Sequence, residues 1–480
     1  MERRILDPEP MSSLERYVEG GGGRGIEAAA RLGPAGIVDD VDASGLRGRG
    51  GAGFPAGRKW RTVQENASAD ALTTVVVNAA EGEPGSFKDR TILRRNPYRV
   101  LEGALIAAAA VGARSVTVAM KASFTTELER MRAAVVEAGD AGWTKGLDVA
   151  VVEGPGEYLF GEETALLEVL AGRHPFPRIA PPFRRGLDEG GEGGGTRSAA
   201  GVDLAGPGST EAAPTLVNNV ETMANVARIL AEGPDWFRSV GTEESPGTIV
   251  CTVSGRTRRH GVAEFAMGTP LGEIVEAVGG GPAGERIVAV MSGVANPLVP
   301  ASLLETPASY EGMDAAGSGL GAAGFIVFDD TSDLAAVAHG VSRFLAVESC
   351  GQCTPCKQDG LAIASLLDRI RRSEADEHDL ATVQDHLGTV ADEARCFLAH
   401  QHQRVVQSIL ALFPEEVRSH VTGGAPAAPD DLVAAIVDLV DGVAVLDEGH
   451  AGKQPDWTYD DTDSGQSPAD RVDQGQGEDI

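Results

Sequence analysis

Three cysteines in the run Cys350-Gly-Gln-Cys353-Thr-Pro-Cys356, with a fourth at Cys396, constrain this chain more than any other feature. A fold that uses them must bring one distant thiolate onto a tight loop that already carries three. Two-residue gaps set three soft anionic ligands side by side, and such a set suits a 4Fe-4S cube. The alternative, a four-cysteine zinc site, usually pairs two separate Cys-x-x-Cys knuckles. Cys251 lies in the β-branched run Thr248-Ile-Val-Cys-Thr-Val253 and reads as a buried core thiol. Clustered cysteines point to ligation and a reducing compartment instead of a disulfide framework.

Composition narrows the class. Acidic residues outnumber basic ones 71 to 41, and the net charge of -30 argues against a nucleic-acid surface. The opening Met1-Glu-Arg-Arg-Ile-Leu-Asp-Pro8 has no apolar core of a signal peptide. The longest apolar-looking stretch, Gly103 to Ala113, is too short to cross a bilayer. The expectation is a soluble, cytoplasmic protein that reaches a membrane face only through partners.

The length suggests about three domains. Residues 1–240 alternate strand and helix patterns, as α/β proteins do: strands at Val75–Asn78, Ser115–Ala119 and Asp148–Glu153, helices at Tyr98–Ala110, Glu127–Ala138 and Glu163–Leu170. Within that region, residues 184–213 are dominated by Gly, Asp, Glu and Ser and read as a mobile insertion. Residues 245–330 carry short strands and one helix with Leu271, Ile274, Val275 and Val278 on a single face, a small α+β pattern. Residues 331–422 keep helical spacing on both sides of the cysteines. Residues 423–480 turn Pro-, Gly- and Asp-rich and are expected to be a largely disordered acidic tail, with one short element at Leu432–Leu446.

Ligand loops are also visible. Gly45-Leu-Arg-Gly-Arg-Gly-Gly-Ala-Gly-Phe-Pro-Ala-Gly57 holds six glycines in thirteen residues, which leaves backbone amides open to a phosphate or a ring. Its Gly48-x-Gly50-x-x-Gly53 is a weak match to the dinucleotide fingerprint, because Ile37–Ser44 before it is no buried strand. Asn78-Ala-Ala-Glu-Gly-Glu-Pro follows a predicted strand, where parallel sheets place their ligands. Gly161-Glu-Glu-Thr164 opens a helix, and its carboxylates suit either ribose binding or helix capping.

In combination these segments resemble one family. The glycine loop, Asn78-Ala-Ala-Glu-Gly-Glu-Pro-Gly-Ser-Phe-Lys-Asp-Arg90, Tyr158-Leu-Phe-Gly-Glu-Glu-Thr-Ala-Leu-Leu167, Pro214-Thr-Leu-Val-Asn-Asn-Val-Glu-Thr222, Met267-Gly-Thr-Pro-Leu271 and Glu348–Cys356 occur in the order of the NADH-binding flavoprotein (F) subunit of respiratory complex I. The resemblance covers roughly Leu14 to Val421 and implies a Rossmann-like FMN and NADH domain, a ubiquitin-like β-grasp domain and a helical-bundle iron-sulfur domain. It implies an NADH dehydrogenase that passes hydride to FMN and then single electrons to a 4Fe-4S cluster, a thioredoxin-like 2Fe-2S partner, further iron-sulfur subunits and finally quinone. By the same resemblance Gly48, Gly51 and Lys59 approach FMN, Phe54 stacks near the NADH adenine, and Asn78 and Glu81 contact the flavin. Tyr158 and Gly161 border it, Glu163 serves NADH, and Asn218 and Asn219 hold the FMN phosphate end. Glu83, Glu162 and Phe183 belong to the same pocket, no side chain is catalytic in the acid-base sense, and Cys350, Cys353, Cys356 and Cys396 are the cluster ligands.

The chain departs from the family pattern at three places. Ala80 stands where an Asp is usual, Ala180 where a Lys commonly precedes Pro-Pro-Phe183, and Phe397 opens an atypical segment after Cys396. Two rival readings accompany the resemblance: the diaphorase subunit of an NAD-linked hydrogenase or formate dehydrogenase, and an electron-relay subunit that has lost NADH.

Overall fold

The structure, a computed structural model, describes residues 2–67, 72–187 and 213–455. Strands β1 (Thr74–Ala79), β2 (Ser115–Lys121), β3 (Asp148–Gly154) and β4 (Thr215–Asn219) form a parallel sheet in the order β3-β2-β1-β4. The unbroken Val75-Val-Val77 run is buried on both faces, as a parallel strand between helices requires. Val75 and Val77 pack with the helices Pro97–Val111 and Val220–Glu232, whereas Val76 faces Leu166 and Leu167 of the helix Glu163–Leu170. From β1 the sheet grows outward to β2 and β3, and the chain then returns to the opposite side of β1 as β4. That reversal opens a crevice at the carboxyl ends of β1 and β4, where Asn78 and Asn219 stand side by side in register.

Two features of this region escape the periodicity. Five-residue β4 ends in two asparagines, and the residues before the glycine loop form the helix Arg24–Ser44, kinked at Gly33 (φ 70°) before Pro34. The glycine loop therefore joins two helices, Arg24–Ser44 and Ala56–Glu65, so it is not the strand-to-helix turn of a dinucleotide fingerprint.

A second sheet of five strands has the order β6-β5-β9-β7-β8, with β5 (Thr248–Gly255), β6 (Gly261–Ala266), β7 (Ile287–Ser292), β8 (Val299–Pro300) and β9 (Gly324–Asp329). Leu271, Ile274, Val275 and Val278 line the buried face of the helix Leu271–Gly279 and share its core with Cys251 of β5. Five helices follow: Leu334–Glu348, Thr354–Arg371, Glu377–Thr389, Leu398–Leu412 and Pro414–Val421. Asp333 caps the first of them by accepting from the amides of Ala335 and Ala336.

The described part of the stretch after Thr422 is ordered beyond the one short element expected at Leu432–Leu446. Up to Pro455 it is packed, with an antiparallel hairpin of β10 (Ile436–Val440) and β11 (Val443–Leu446) and a 3-10 turn at Glu448–Gly452. Its acidic residues do not repel it from the body because several are paired: Asp430 with His339 and Asp438 with Arg94. Most of the expected 184–213 insertion, residues 188–212, and residues 456–480 lie outside the described residues. Among the described residues no helix is long and apolar enough to cross a membrane.

Candidate functional site

The crevice between β1 and β4 opens into a cavity of about 880 Å³, a size that takes a cofactor. All fourteen residues expected to bind the flavin or nucleotide line it, although they come from segments far apart in sequence. Gly48, Gly51, Phe54 and Lys59 reach it from the glycine loop and the helix that follows. Asn78, Glu81 and Glu83 come from the end of β1; Tyr158, Gly161, Glu162 and Glu163 from the turn after β3; Phe183 from the segment after the helix Glu163–Leu170; Asn218 and Asn219 from β4.

Hydrogen bonds fix the polar groups of this wall. Buried Trp60 donates through Nε1 to Asn218 Oδ1 at 2.8 Å, and Asn78 Nδ2 donates to the Gly161 carbonyl at 2.8 Å. Asn219 Nδ2 donates to Asp89 Oδ2 at 2.6 Å, and buried Lys88 pairs with both Asp89 and Glu221 behind it. Gly50 lets the loop approach: a Cβ there would stand 3.3 Å from that of Asn219. Lys59 and Glu163 form an ion pair across the cavity wall. Phe54 keeps 47% of its surface exposed at the edge of the cavity, with the Arg58 guanidinium 5.6 Å from its ring centre.

Two of the expected ligand carboxylates are committed elsewhere. Glu81 accepts from the Ser86 hydroxyl and from the amides of Lys88, Asp89 and Arg90, so it caps the helix Lys88–Arg95. Glu162 accepts from the amides of Thr164 and Ala165 and caps the helix Glu163–Leu170. Both line the cavity; Glu81 commits both carboxylate oxygens to these donors, whereas Glu162 commits Oε2 alone. Glu81→Ala is expected to leave these buried donors unpaired and to cost about 2–3 kcal/mol in urea unfolding. An unchanged midpoint would remove Glu81 from this capping role.

Glu83 is different. Its Oε2 accepts from the Tyr158 hydroxyl at 2.5 Å and its Oε1 from the Val294 amide at 2.7 Å. Burial pushes its carboxyl up to about 7 against these two hydrogen bonds. Tyr158 also receives a bond from Gln401 Nε2 at 3.2 Å, so this pair ties the parallel-sheet region to the five-stranded sheet and to the helices. Sequence reasoning missed Asn296, Gly321, Phe397 and Gln401, which line the cavity from those later regions. Only long-range packing brings them there. Phe397 alone carried a signal, as an atypical residue next to Cys396.

The four cysteines line a second, smaller cavity with Leu159, Pro177, Ala394, Leu398 and Ala399. Cys353 is the N-cap of the helix Thr354–Arg371, Cys356 lies in its first turn, and Cys396 immediately precedes the N-cap of the helix Leu398–Leu412. Two helix N-termini thus point partial positive charge at an anionic group. Donors already face the sulfurs: the Arg395 amide to Cys353 at 3.4 Å and Gln352 Nε2 to Cys350 at 3.5 Å. The Ser349 hydroxyl lies 3.2 Å from Cys356 Sγ.

Burial pushes the Cys350, Cys356 and Cys396 thiols up, Cys356 to about 11. Four thiolates in so apolar a lining require cationic charge among them, which iron supplies. Four cysteines around one small apolar cavity, three of them on a single loop, fit a 4Fe-4S cluster. Leu159, Leu398 and Cys396 line both cavities, so the wall between them is one layer of side chains.

Comparison with known proteins agrees with this geometry. Residues 41–228 match the family model of the Nuo51 FMN-binding domain, and residues 336–420 match that of the NADH-ubiquinone oxidoreductase-F iron-sulfur binding region. The chain is 36% identical to an NADH-quinone oxidoreductase F subunit of Rhizobium meliloti over 429 residues, covering 87% of this chain and 96% of that protein. It is 34% identical to the NADH-quinone oxidoreductase F subunit of Mycobacterium tuberculosis over 454 residues, covering 91% and 97%. An NAD+-reducing [NiFe]-hydrogenase chain in its H2-reduced state superposes with a TM-score of 0.74 at 31% identity, over 88% of this chain and 68% of that one. With an FMN-binding region around the larger cavity and an iron-sulfur region around the four cysteines, the chain belongs to the family of NADH-quinone oxidoreductase F subunits.

Proposed function

We propose that the larger cavity holds FMN with NADH stacked on it, and that the four cysteines hold the 4Fe-4S cluster that takes the electrons. The observation that carries this reading is the shared wall of Leu159, Leu398 and Cys396 between the two cavities. When bound, FMN supplies the change from two-electron to one-electron transfer, and the cluster supplies one-electron transfer. The protein's own groups bind and orient. Gly48, Gly51 and Lys59 approach the flavin, and Trp60 and Lys88 hold Asn218 and Asn219 at its phosphate end. Exposed Phe54 takes the adenine face, while Glu163, paired with Lys59, serves the nucleotide. Glu81 and Glu162 support the wall through the helices they cap.

On this reading the parallel-sheet region is a Rossmann-like domain, the five-stranded sheet a β-grasp domain and the helices after Asp333 an iron-sulfur bundle. Electrons leave toward a thioredoxin-like 2Fe-2S subunit and further iron-sulfur subunits, ending at quinone. The complex sits at the cytoplasmic face of the membrane. The hydrogenase likeness favours one second reading, a diaphorase subunit that delivers to or receives from a soluble dehydrogenase. Purification of the native complex separates the two by its co-isolated subunits, quinone-reducing membrane proteins or a soluble catalytic chain.

The direct test measures flavin and iron on the purified protein and follows both after NADH is added. Flavin bleaching followed by the electron paramagnetic resonance signal of a reduced cluster is the expected result. Flavin that NADH does not bleach would favour a relay subunit, with Ala80 and Ala180 as the places where the nucleotide was lost.

A further inference from the structure

The C-terminal segment, residues 427–453, lies outside both family matches yet ties together every region that builds the site. It begins against the helices: the Ala428 amide donates to the Arg371 carbonyl at 2.7 Å, and Asp430 meets His339 at 3.0 Å. Gly340 makes room for it, since a Cβ there would stand 2.2 Å from the Asp431 carbonyl oxygen. The hairpin then crosses to the parallel-sheet region, where Arg94 donates to Asp438 at 2.6 Å and Arg90 to the Val437 carbonyl at 2.7 Å. It also touches the five-stranded sheet through the Ala444 amide, which donates to His260 Nδ1 at 2.7 Å. Finally the turn at Glu448–Gly452 returns to the helices beside the cysteine loop. There Arg343 donates to the carbonyls of His450, Ala451 and Lys453 at 2.9, 2.7 and 3.1 Å.

The end of this path is Glu348, a buried carboxylate two residues before Cys350. Its Oε2 accepts from the Tyr158 amide at 2.9 Å, on the flavin side of the wall. Its Oε1 accepts from Lys453 Nζ at 2.6 Å and lies 3.0 Å from His450 Nε2. Phe344 repeats the connection in apolar form: its ring stacks on His450 at 4.8 Å and meets the edge of Tyr158 at 5.3 Å. One carboxylate and one ring thus join the turn that borders the larger cavity, the start of the cysteine loop and the C-terminal segment.

We propose that this segment is a positioning strap, with Lys453 and His450 as positioning residues that hold Glu348 between the flavin turn and the cluster loop. The inference rests on the cysteines holding a cluster as proposed above. A buried carboxylate with only the Tyr158 amide as partner would be free to leave its place, because a charge in low dielectric seeks water or a counter-charge. Lys453 supplies that charge from outside the iron-sulfur region. The strap thereby sets the geometry of the shared wall and the electrostatic field at the cluster.

The test uses the full-length, cofactor-loaded protein. Lys453→Met should keep its flavin and iron at wild-type stoichiometry and lower the midpoint potential of the cluster, since losing the Lys453 charge beside Glu348 makes the local field more negative and opposes the added electron, even with His450, Lys121 and Lys357 still near that carboxylate. The rate at which NADH reduces the cluster should fall, with NADH:ferricyanide turnover changed less, and Lys453→Arg should restore potential and rate. An unchanged potential and line shape in Lys453→Met would overturn the proposal. Should that variant lose iron, His450→Gln carries the test, and a wild-type potential there overturns it equally. Wild-type protein without iron or a cluster signal would instead sink the assignment of the cysteines. Asp438→Asn, in the half-buried hairpin midway along the strap, should leave the potential where it is; a shift as large as that of Lys453→Met would mean that the effect is general loosening, and would overturn the local role of Lys453.

Discussion

Cys353→Ser is expected to reduce iron and acid-labile sulfide from about four of each per chain to a small fraction, with loss of the cluster's paramagnetic signal. The position makes the result easy to interpret. Cys353 is the N-cap of the helix Thr354–Arg371, and serine is among the better N-cap residues, so the helix loses nothing by the change. What goes is the soft thiolate, which a hard hydroxyl replaces poorly. NADH:ferricyanide turnover, which needs only the flavin, should survive in part. Cys251→Ser is the matched control: that thiol is fully buried in β5, in the core of the other sheet, so the change should lower stability by about 1–2 kcal/mol and leave iron unchanged. Normal iron in Cys353→Ser, or lost iron in Cys251→Ser, would reverse the assignments of these two residues.

Much of the site is legible in the sequence because its residues sit in short motifs with local causes. The Cys-x-x-Cys-x-x-Cys loop reads directly, and the Val75–Val77 run places Asn78 at a strand end where a parallel sheet binds its ligands. What stays hidden depends on contacts between distant residues. Strand β4 has only five residues and two asparagines, so no period marks it; its pairing with β1 makes it a strand. Asn296 and Gln401 enter the cavity only because other sheets and helices pack there. The roles of Glu81 and Glu162 are blurred for the opposite reason: a carboxylate near a helix start looks the same whether it binds ribose or amides, and the geometry assigns it to amides. The short element expected at Leu432–Leu446 is the hairpin, but the ordering around it is hidden because composition counts acids without their partners, and Arg94 and His339, which pair with Asp438 and Asp430, lie far away in sequence.

Gly51→Val should empty the flavin site and leave the cluster in place. Gly51 has φ of 126°, a backbone conformation that a β-branched residue reaches only with strain of about 1–3 kcal/mol. Inside the protein a Cβ at this position would come no closer than 4.0 Å to another atom, the Gly321 carbonyl carbon, so the fold itself has room for it. The remaining space around it is the cavity, and the valine methyls would project where a ring or phosphate approaches the loop. Strain and lost contact together should weaken flavin binding by about 100-fold or more, roughly 3 kcal/mol. Gly53 would be a poorer choice, because a Cβ there would stand 2.3 Å from the Tyr310 ring, whose hydroxyl donates to the Gly48 carbonyl at 2.7 Å. Any side chain at Gly53 would break the loop's anchor, and flavin loss would then say nothing about contact. The measurement is flavin and iron stoichiometry on one preparation of Gly51→Val. Iron at the wild-type level with flavin absent places the glycine loop against the flavin, whereas retained FMN and unaltered NADH oxidation would make Gly48 to Gly53 a surface turn.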